Sequence, residues 1–96
     1  MYQLSSTDVF DEWLESLDKK TRLIVVARLD TVKLGSLGDH KSLKGGVSEL
    51  RIHRSTGYRI YYTMQGKQLI LLLAGGDKSS QAKDIARAKD MVKQLR

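Results

Sequence analysis

Cysteine and proline are both missing from these 96 residues, and without cysteine neither disulfides nor thiolate metal sites can form. That suits a reducing cytoplasm. Aromatic residues are few: Trp13, Phe10 and four tyrosines. Long hydrophobic runs are missing too. The longest, residues 69–74, is six residues, far short of the roughly 20 needed to cross a bilayer. The start, MYQLSSTDVF, lacks the basic cluster and apolar run of a secretory leader. The expectation is a soluble cytoplasmic protein without a membrane partner. At 41% hydrophobic content the chain can bury one core, and no repeat, linker or low-complexity tract divides it, so residues 1–96 are expected to form a single domain.

Basic charge is absent from the first 18 residues, which carry Asp8, Asp11, Glu12, Glu15 and Asp18. All 17 lysines and arginines fall in residues 19–96 against six acids, a balance of +11 for that part. Such a body attracts polyanions by releasing their counterions. It also serves plain solubility, and charge alone does not separate the two.

Residues 2–4 suit a short first strand. Ser6, Thr7 and Asp8 offer N-cap oxygens, and Asp11 and Glu12 add negative charge to the first turn of a helix. Phe10, Trp13, Leu14 and Leu17 recur at one-face spacing. Asp18 is placed to cap a second helix, with Val25, Leu29 and Val32 on its inner face, Val26 beside them and Gly35 as its stop. Two helices so close in sequence form a hairpin. Residues 35–46, GSLGDHKSLKGG, read as a loop. VSELRIH and YRIYYTM alternate apolar and polar residues as half-buried strands do, and LILLLA is apolar throughout, as a central strand is. GGDKSSQ ends that strand and opens a last helix with Ile85, Ala88, Val92 and Leu95 in a stripe. The expected order is β-α-α-β-β-β-α, an α+β fold.

Pairing Ile52 with Ile60 and Leu50 with Tyr62 puts four apolar groups on one face and leaves Ser55-Thr56-Gly57 as a three-residue loop, with Gly57 at its left-handed position. The other face then carries Glu49, Arg51, His53, Arg59 and Tyr61 toward solvent. Arginine forks match phosphate oxygens. A tyrosine stacks on bases, and a carboxylate or histidine moves protons. These are the groups that RNA cleavage by its own 2′-hydroxyl requires. A charged strand face is also common as mere surface. GGDKSSQ is a second candidate, its glycines followed by Lys78 and hydroxyls at a helix start suited to phosphate, but it lacks the P-loop spacing and on local grounds fits a helix cap by Asp77 or Ser79 better. Neither His40 nor His53 has a companion at metal-ligand spacing, so no metal or other cofactor is expected.

FDEWLESL, ARLDTVKLGSLGDHKSLKGGVSELRI, GYRIYY and LLLAGGDKSSQAKDI, in that order over about residues 8–90, resemble the phage-derived Gp49-like, HigB-type killer proteins of the RelE/ParE toxin superfamily. The resemblance implies a RelE-like fold, with two N-terminal helices packed on a small antiparallel sheet and a C-terminal helix. It implies a toxin of a type II toxin–antitoxin system, a metal-independent endoribonuclease that cuts mRNA in the ribosomal A site and arrests translation. It further implies an antitoxin partner, usually of the helix-turn-helix type, through which alone operator DNA is contacted. Superfamily nucleases carry basic groups on the concave sheet face, and the matching positions are Arg51 and Arg59, with Lys78 beyond them. On that footing Arg59 meets the scissile phosphate and Arg51 the transition-state charge. Tyr61 orients a nucleotide, and Glu49 or His53 is the base. Lys44, Lys78 and Gln81 hold flanking RNA, and the acidic first helix faces away from it. Two rival readings stay open: a ParE-like inhibitor of DNA gyrase, which shares the fold, and a module that binds nucleic acid without catalysis.

Overall fold

A computed structural model describes residues 1–54 and 57–95. Its elements run β1 (Gln3–Ser6), α1 (Asp8–Ser16), α2 (Lys19–Lys33), β2 (His40–Ser42), β3 (Ser48–Ile52), β4 (Tyr58–Met64), β5 (Leu69–Asp77), a 3₁₀ turn (Lys78–Ser80) and α3 (Gln81–Gln94). The local signals act as expected at the helix ends. The Thr7 hydroxyl accepts from Phe10 N–H at 3.1 Å to cap α1, and Asp18 accepts from Thr21 N–H at 3.2 Å to cap α2. At the far end of α2, Gly35 takes φ +105°, which lets its own N–H reach Val32 O and the Ser36 N–H reach Thr31 O. This paired closure satisfies two carbonyls the helix leaves open.

The sheet has the order β1-β5-β4-β3-β2. Three findings depart from the expected arrangement. First, β1 runs parallel to β5, so the sheet is mixed rather than wholly antiparallel. The long stretch of chain between these two strands is what makes a parallel pairing feasible. Secondly, residues 40–42, expected within a loop, form the edge strand β2 on β3. All three are exposed, so no apolar alternation announces them. Thirdly, Leu50 pairs with Ile60 and Ile52 with Tyr58, a register two residues from the expected one. A shift of two is one full pleat, so every side chain keeps its face. The connection then runs from residue 53 to 57 in place of a three-residue loop. Its Gly57 has φ +78° as expected, while Ser55 and Thr56 lie outside the described residues.

One face of the sheet packs Leu50, Ile52, Ile60, Tyr62, Ile70 and Leu72 against Phe10 of α1 and Val25, Leu29 and Val32 of α2. The other face packs Val47, Tyr61, Leu73 and Ala74 against Ala88 and Val92 of α3. Leu73 and Ala74 are neighbours on one face because a bulge intervenes: Tyr61 pairs with Ala74 and Tyr62 with Leu72, leaving Leu73 extra. The bulge reverses the alternation beyond it. Gly75 therefore turns toward α1, where an added Cβ would lie 2.3 Å from the Trp13 ring, and Gly76 turns toward α3, where it would lie 2.0 Å from an Asp84 oxygen.

Because α3 lies over this second face, Tyr61 is buried, not solvent-facing as the strand pattern alone suggests, and Glu49 beside it on β3 is buried as well. The Tyr61 hydroxyl has no hydrogen-bond partner among the described residues. Burial first, then the Glu49 and Asp84 carboxylates, pushes it up to about 12. Of the last stripe, Ala88 and Val92 are buried and Leu95 is exposed, since the helix ends at Gln94.

Two substitutions test this packing by urea denaturation. Gly75→Ala should lower stability by roughly 3 kcal/mol, because the bulky Trp13 ring must move; an unchanged midpoint would mean that α1 does not sit so close to β5. Tyr61→Phe should leave stability unchanged or raise it by about 1 kcal/mol, because it removes a buried hydroxyl that makes no hydrogen bond. A marked loss would reveal a partner for that hydroxyl.

Candidate functional site

Glu49 on β3 is 1% exposed, and a carboxylate that deep must be paired. Arg59 on β4 donates from Nε to one Glu49 oxygen at 3.1 Å, and Arg51 brings Nη2 to 3.8 Å from the other. The observed register sets Arg51 directly opposite Arg59, and the carboxylate beside both offsets the repulsion of like charges across strands. Arg51 also places Nη1 3.8 Å from Asp39, and Asp39 accepts a hydrogen bond from Nε2 of His53. Charges of alternating sign thus run Arg59, Glu49, Arg51, Asp39, and the row ends on the His53 imidazole in open solvent. Among its three nitrogen-bearing side chains exposure rises from 15% at Arg59 to 31% at Arg51 and 75% at His53.

Asp39 is held there by α2. Nη2 of Arg28 donates to the carbonyls of Leu37 and Asp39, and Nε of Arg28 donates to Arg51 O at 3.5 Å. The Arg51 N–H donates to Asp39 O at 3.0 Å. Three of these hydrogen bonds tie the segment before β2 to α2 and the end of β3, and the fourth joins α2 to β3 directly. The hydrogen bond from His53 holds the Asp39 carboxyl below the usual carboxylate range against the opposing effect of burial, with a smaller contribution from the Arg51 charge.

Beside this row lies a hollow of about 370 Å³ whose lining includes Arg51, His53, Arg54, Tyr58, Arg59 and Lys78. Four of its eight lining residues are arginine or lysine. The structure therefore gathers Arg51, Arg59, His53 and Lys78, as the sequence suggested. Glu49 stands behind the arginines, out of reach of a ligand in the hollow. Tyr61, closed off beneath α3, offers no ring for a base to stack on. Lys44 precedes β3, whereas His53 follows it, so the two stand at opposite ends of the strand. Gln81 is half-buried as the first residue of α3. His40 is exposed and donates from Nδ1 to Gly38 O at 2.9 Å. Asp77 caps the 3₁₀ turn by accepting from Ser79 N–H at 2.9 Å, so the GGDKSSQ segment is a cap that also presents Lys78 to the hollow.

Sequence reasoning missed Arg28, Asp39 and Arg54. Arg28 lies on a helix among other charged residues, and Asp39 lies in a glycine-rich segment without period. Arg54 directly follows His53 in LRIHRST, and that second basic residue at a strand's end is the one signal that could have found it.

Residues 12–94 match the family described as phage-derived protein Gp49-like (DUF891). The chain is 42% identical over 94 residues to an uncharacterised protein of Haemophilus influenzae, covering 97% of this chain and 95% of that one. In fold it is similar to the isolated RelE toxin of E. coli, with a TM-score of 0.66 at 17% identity over 91% of this chain and 98% of that chain. It is also similar to a chain of the intact E. coli RelBE toxin–antitoxin complex, with a TM-score of 0.65 at 20% identity over 80% of this chain and 96% of that one. No helix among the described residues is long and apolar enough to cross a membrane. With the match spanning nearly its whole length and the fold that of RelE, the chain belongs to the phage-derived Gp49-like family.

Proposed function

We propose that this chain is the toxin of a type II toxin–antitoxin system, a metal-independent endoribonuclease that cuts mRNA on the ribosome in the cytoplasm. The observation that carries the reading is the hollow in which Arg51, Arg54, Arg59 and Lys78 meet beside an accessible imidazole. Guanidiniums held in place ahead of the reaction suit the charge that builds on a phosphate as a 2′-hydroxyl attacks it. Arg59 and Arg51 take the non-bridging oxygens of the scissile phosphate, and Lys78 and Arg54 take flanking phosphates. The products are a 2′,3′-cyclic phosphate and a 5′-hydroxyl. The ribosome supplies the in-line alignment of sugar and phosphate, which is worth several powers of ten in rate. The acidic α1 packs in the layer across the sheet, away from the hollow. Family membership and the RelE-like fold support an antitoxin partner of helix-turn-helix type, through which alone operator DNA is contacted.

Three expected outcomes follow from the site. Expression of the chain alone should arrest bacterial growth and co-expression of an adjacent antitoxin should restore it; normal growth at verified soluble expression would refute the toxin reading. Arg51→Ala should cut ribosome-bound mRNA about 100-fold more slowly with a melting temperature close to that of the native chain. Arg59→Ala should lose activity and also about 3 kcal/mol of stability, because it leaves the buried Glu49 carboxylate with only its longer contact to Arg51. Cleavage is read by sequencing the 2′,3′-cyclic ends, and stability by urea denaturation. Intact mRNA alongside blocked gyrase supercoiling would favour the ParE-like alternative. Salt-dependent RNA binding without arrest would favour a docking module.

A further inference from the structure

We propose that His53 and Asp39 form the proton-accepting unit of the site, with His53 the catalytic base and Asp39 the residue that positions it. The assignment rests on the nuclease reading above and selects between Glu49 and His53. Glu49 is excluded by its surroundings: both oxygens face guanidiniums, and the carboxylate lies behind Arg51 and Arg59 as seen from the hollow. His53 is open to solvent and lines the hollow with those same arginines.

The hydrogen bond to Asp39 occupies Nε2, so the carboxylate selects the tautomer with its proton on Nε2 and leaves the Nδ1 lone pair for substrate. Asp39 is tied in place through its backbone. Its carbonyl is pinned by the Arg51 N–H at 3.0 Å and by Arg28 Nη2 at 3.2 Å, so its carboxylate is aimed by backbone contacts that the side chain does not itself supply. The charged groups around the imidazole are Asp39 before β2, Arg51 on β3, Arg54 after it, Arg59 on β4, Lys78 after β5 and Arg28 on α2. Asp39 is the single acid among these six, and it keeps its negative charge at neutral pH.

In the step assigned to this unit, Nδ1 takes the proton of the ribose 2′-hydroxyl as that oxygen forms its bond to phosphorus. The bond from phosphorus to the 5′-oxygen breaks with its electron pair, the departing oxygen takes a proton from solvent, and the imidazolium returns its proton to solvent. Asp39 stabilises the imidazolium and touches no reacting atom.

The test uses the full chain, programmed ribosomes and four proteins: native, Asp39→Ala, His53→Gln and the double variant. His53→Gln should cut at least about 100-fold more slowly and lose the acid limb of the pH–rate profile. Asp39→Ala should cut about 10-fold more slowly, since the imidazole remains but is no longer oriented. The double variant should be no slower than His53→Gln alone, because Asp39 acts only through the imidazole. Nitrogen NMR of the free protein should show the Nε2–H tautomer in the native chain and a mixture in Asp39→Ala. If the native chain cuts and Asp39→Ala cuts equally fast, the positioning role is overturned while the nuclease reading stands. A further 10-fold loss in the double variant would overturn it as well, by showing that Asp39 acts through Arg51 instead. If the native chain cuts no mRNA under conditions where its folded spectrum is intact, the nuclease reading fails and this assignment fails with it.

Discussion

A carboxylate buried between two strands constrains everything at this site. Glu49 reaches almost no solvent, and the interior tolerates it only because Arg59 and Arg51 bring positive charge to its two oxygens. In satisfying Glu49, the two guanidiniums give up much of their own freedom. Arg59 is anchored through Nε, which leaves its outer nitrogens to a ligand. The acid therefore contributes no chemistry of its own to the hollow; it fixes the direction in which two cations present themselves. Loss of Arg59 is consequently a structural event as well as an electrostatic one, whereas the half-exposed Arg51, at 3.8 Å from Glu49, is far less committed to the fold.

The second constraint is the layer above. The sheet has two apolar faces, and α3 covers the one that carries the charged row. It does so only in part: Val47, Tyr61, Leu73 and Ala74 are sealed beneath Ala88 and Val92, whereas Arg51 stays half-exposed and His53 open. The bulge at Leu73 makes this closeness feasible, because it turns Gly75 toward the Trp13 ring and Gly76 toward Asp84. Two consecutive glycines thus answer two different helices on opposite sides of one strand. The strand's end delivers Lys78 to the hollow through a turn capped by Asp77.

The resemblance drawn from GVSELRI, GYRIYY and GGDKSSQAKDI led to a RelE-like α+β fold, and family match and fold agree with it. Most of the helix signals were equally legible. Thr7, Asp18 and Gly35 end or begin helices by local hydrogen bonding and local backbone freedom, which short windows of sequence contain. Strand faces were legible for the same reason: alternation of period two assigns Leu50 and Ile52 to one side and Glu49 and Arg51 to the other wherever the neighbours lie. The edge strand β2 was not legible, because an exposed three-residue strand needs no apolar alternation.

Sequence by itself therefore determined parity, helix caps, the basic character of the sheet face and the sharing of that face by Arg51, Arg59 and His53; Lys78 was tied to them only through the family resemblance. Tertiary structure alone decided the register, since a slip of two residues keeps every face and so leaves no trace in the alternation. It also decided what is open and what is closed. Tyr61 and Glu49 read as surface from their strands, yet both are buried, Tyr61 because a helix from the far end of the chain lies over it. Asp39 and Arg28 belong to segments with no visible tie to β3, and only the folding of α2 against the sheet's end brings them to Arg51 and His53. Periodicity reports which way a side chain points; it carries no information about what another part of the chain will set in front of it.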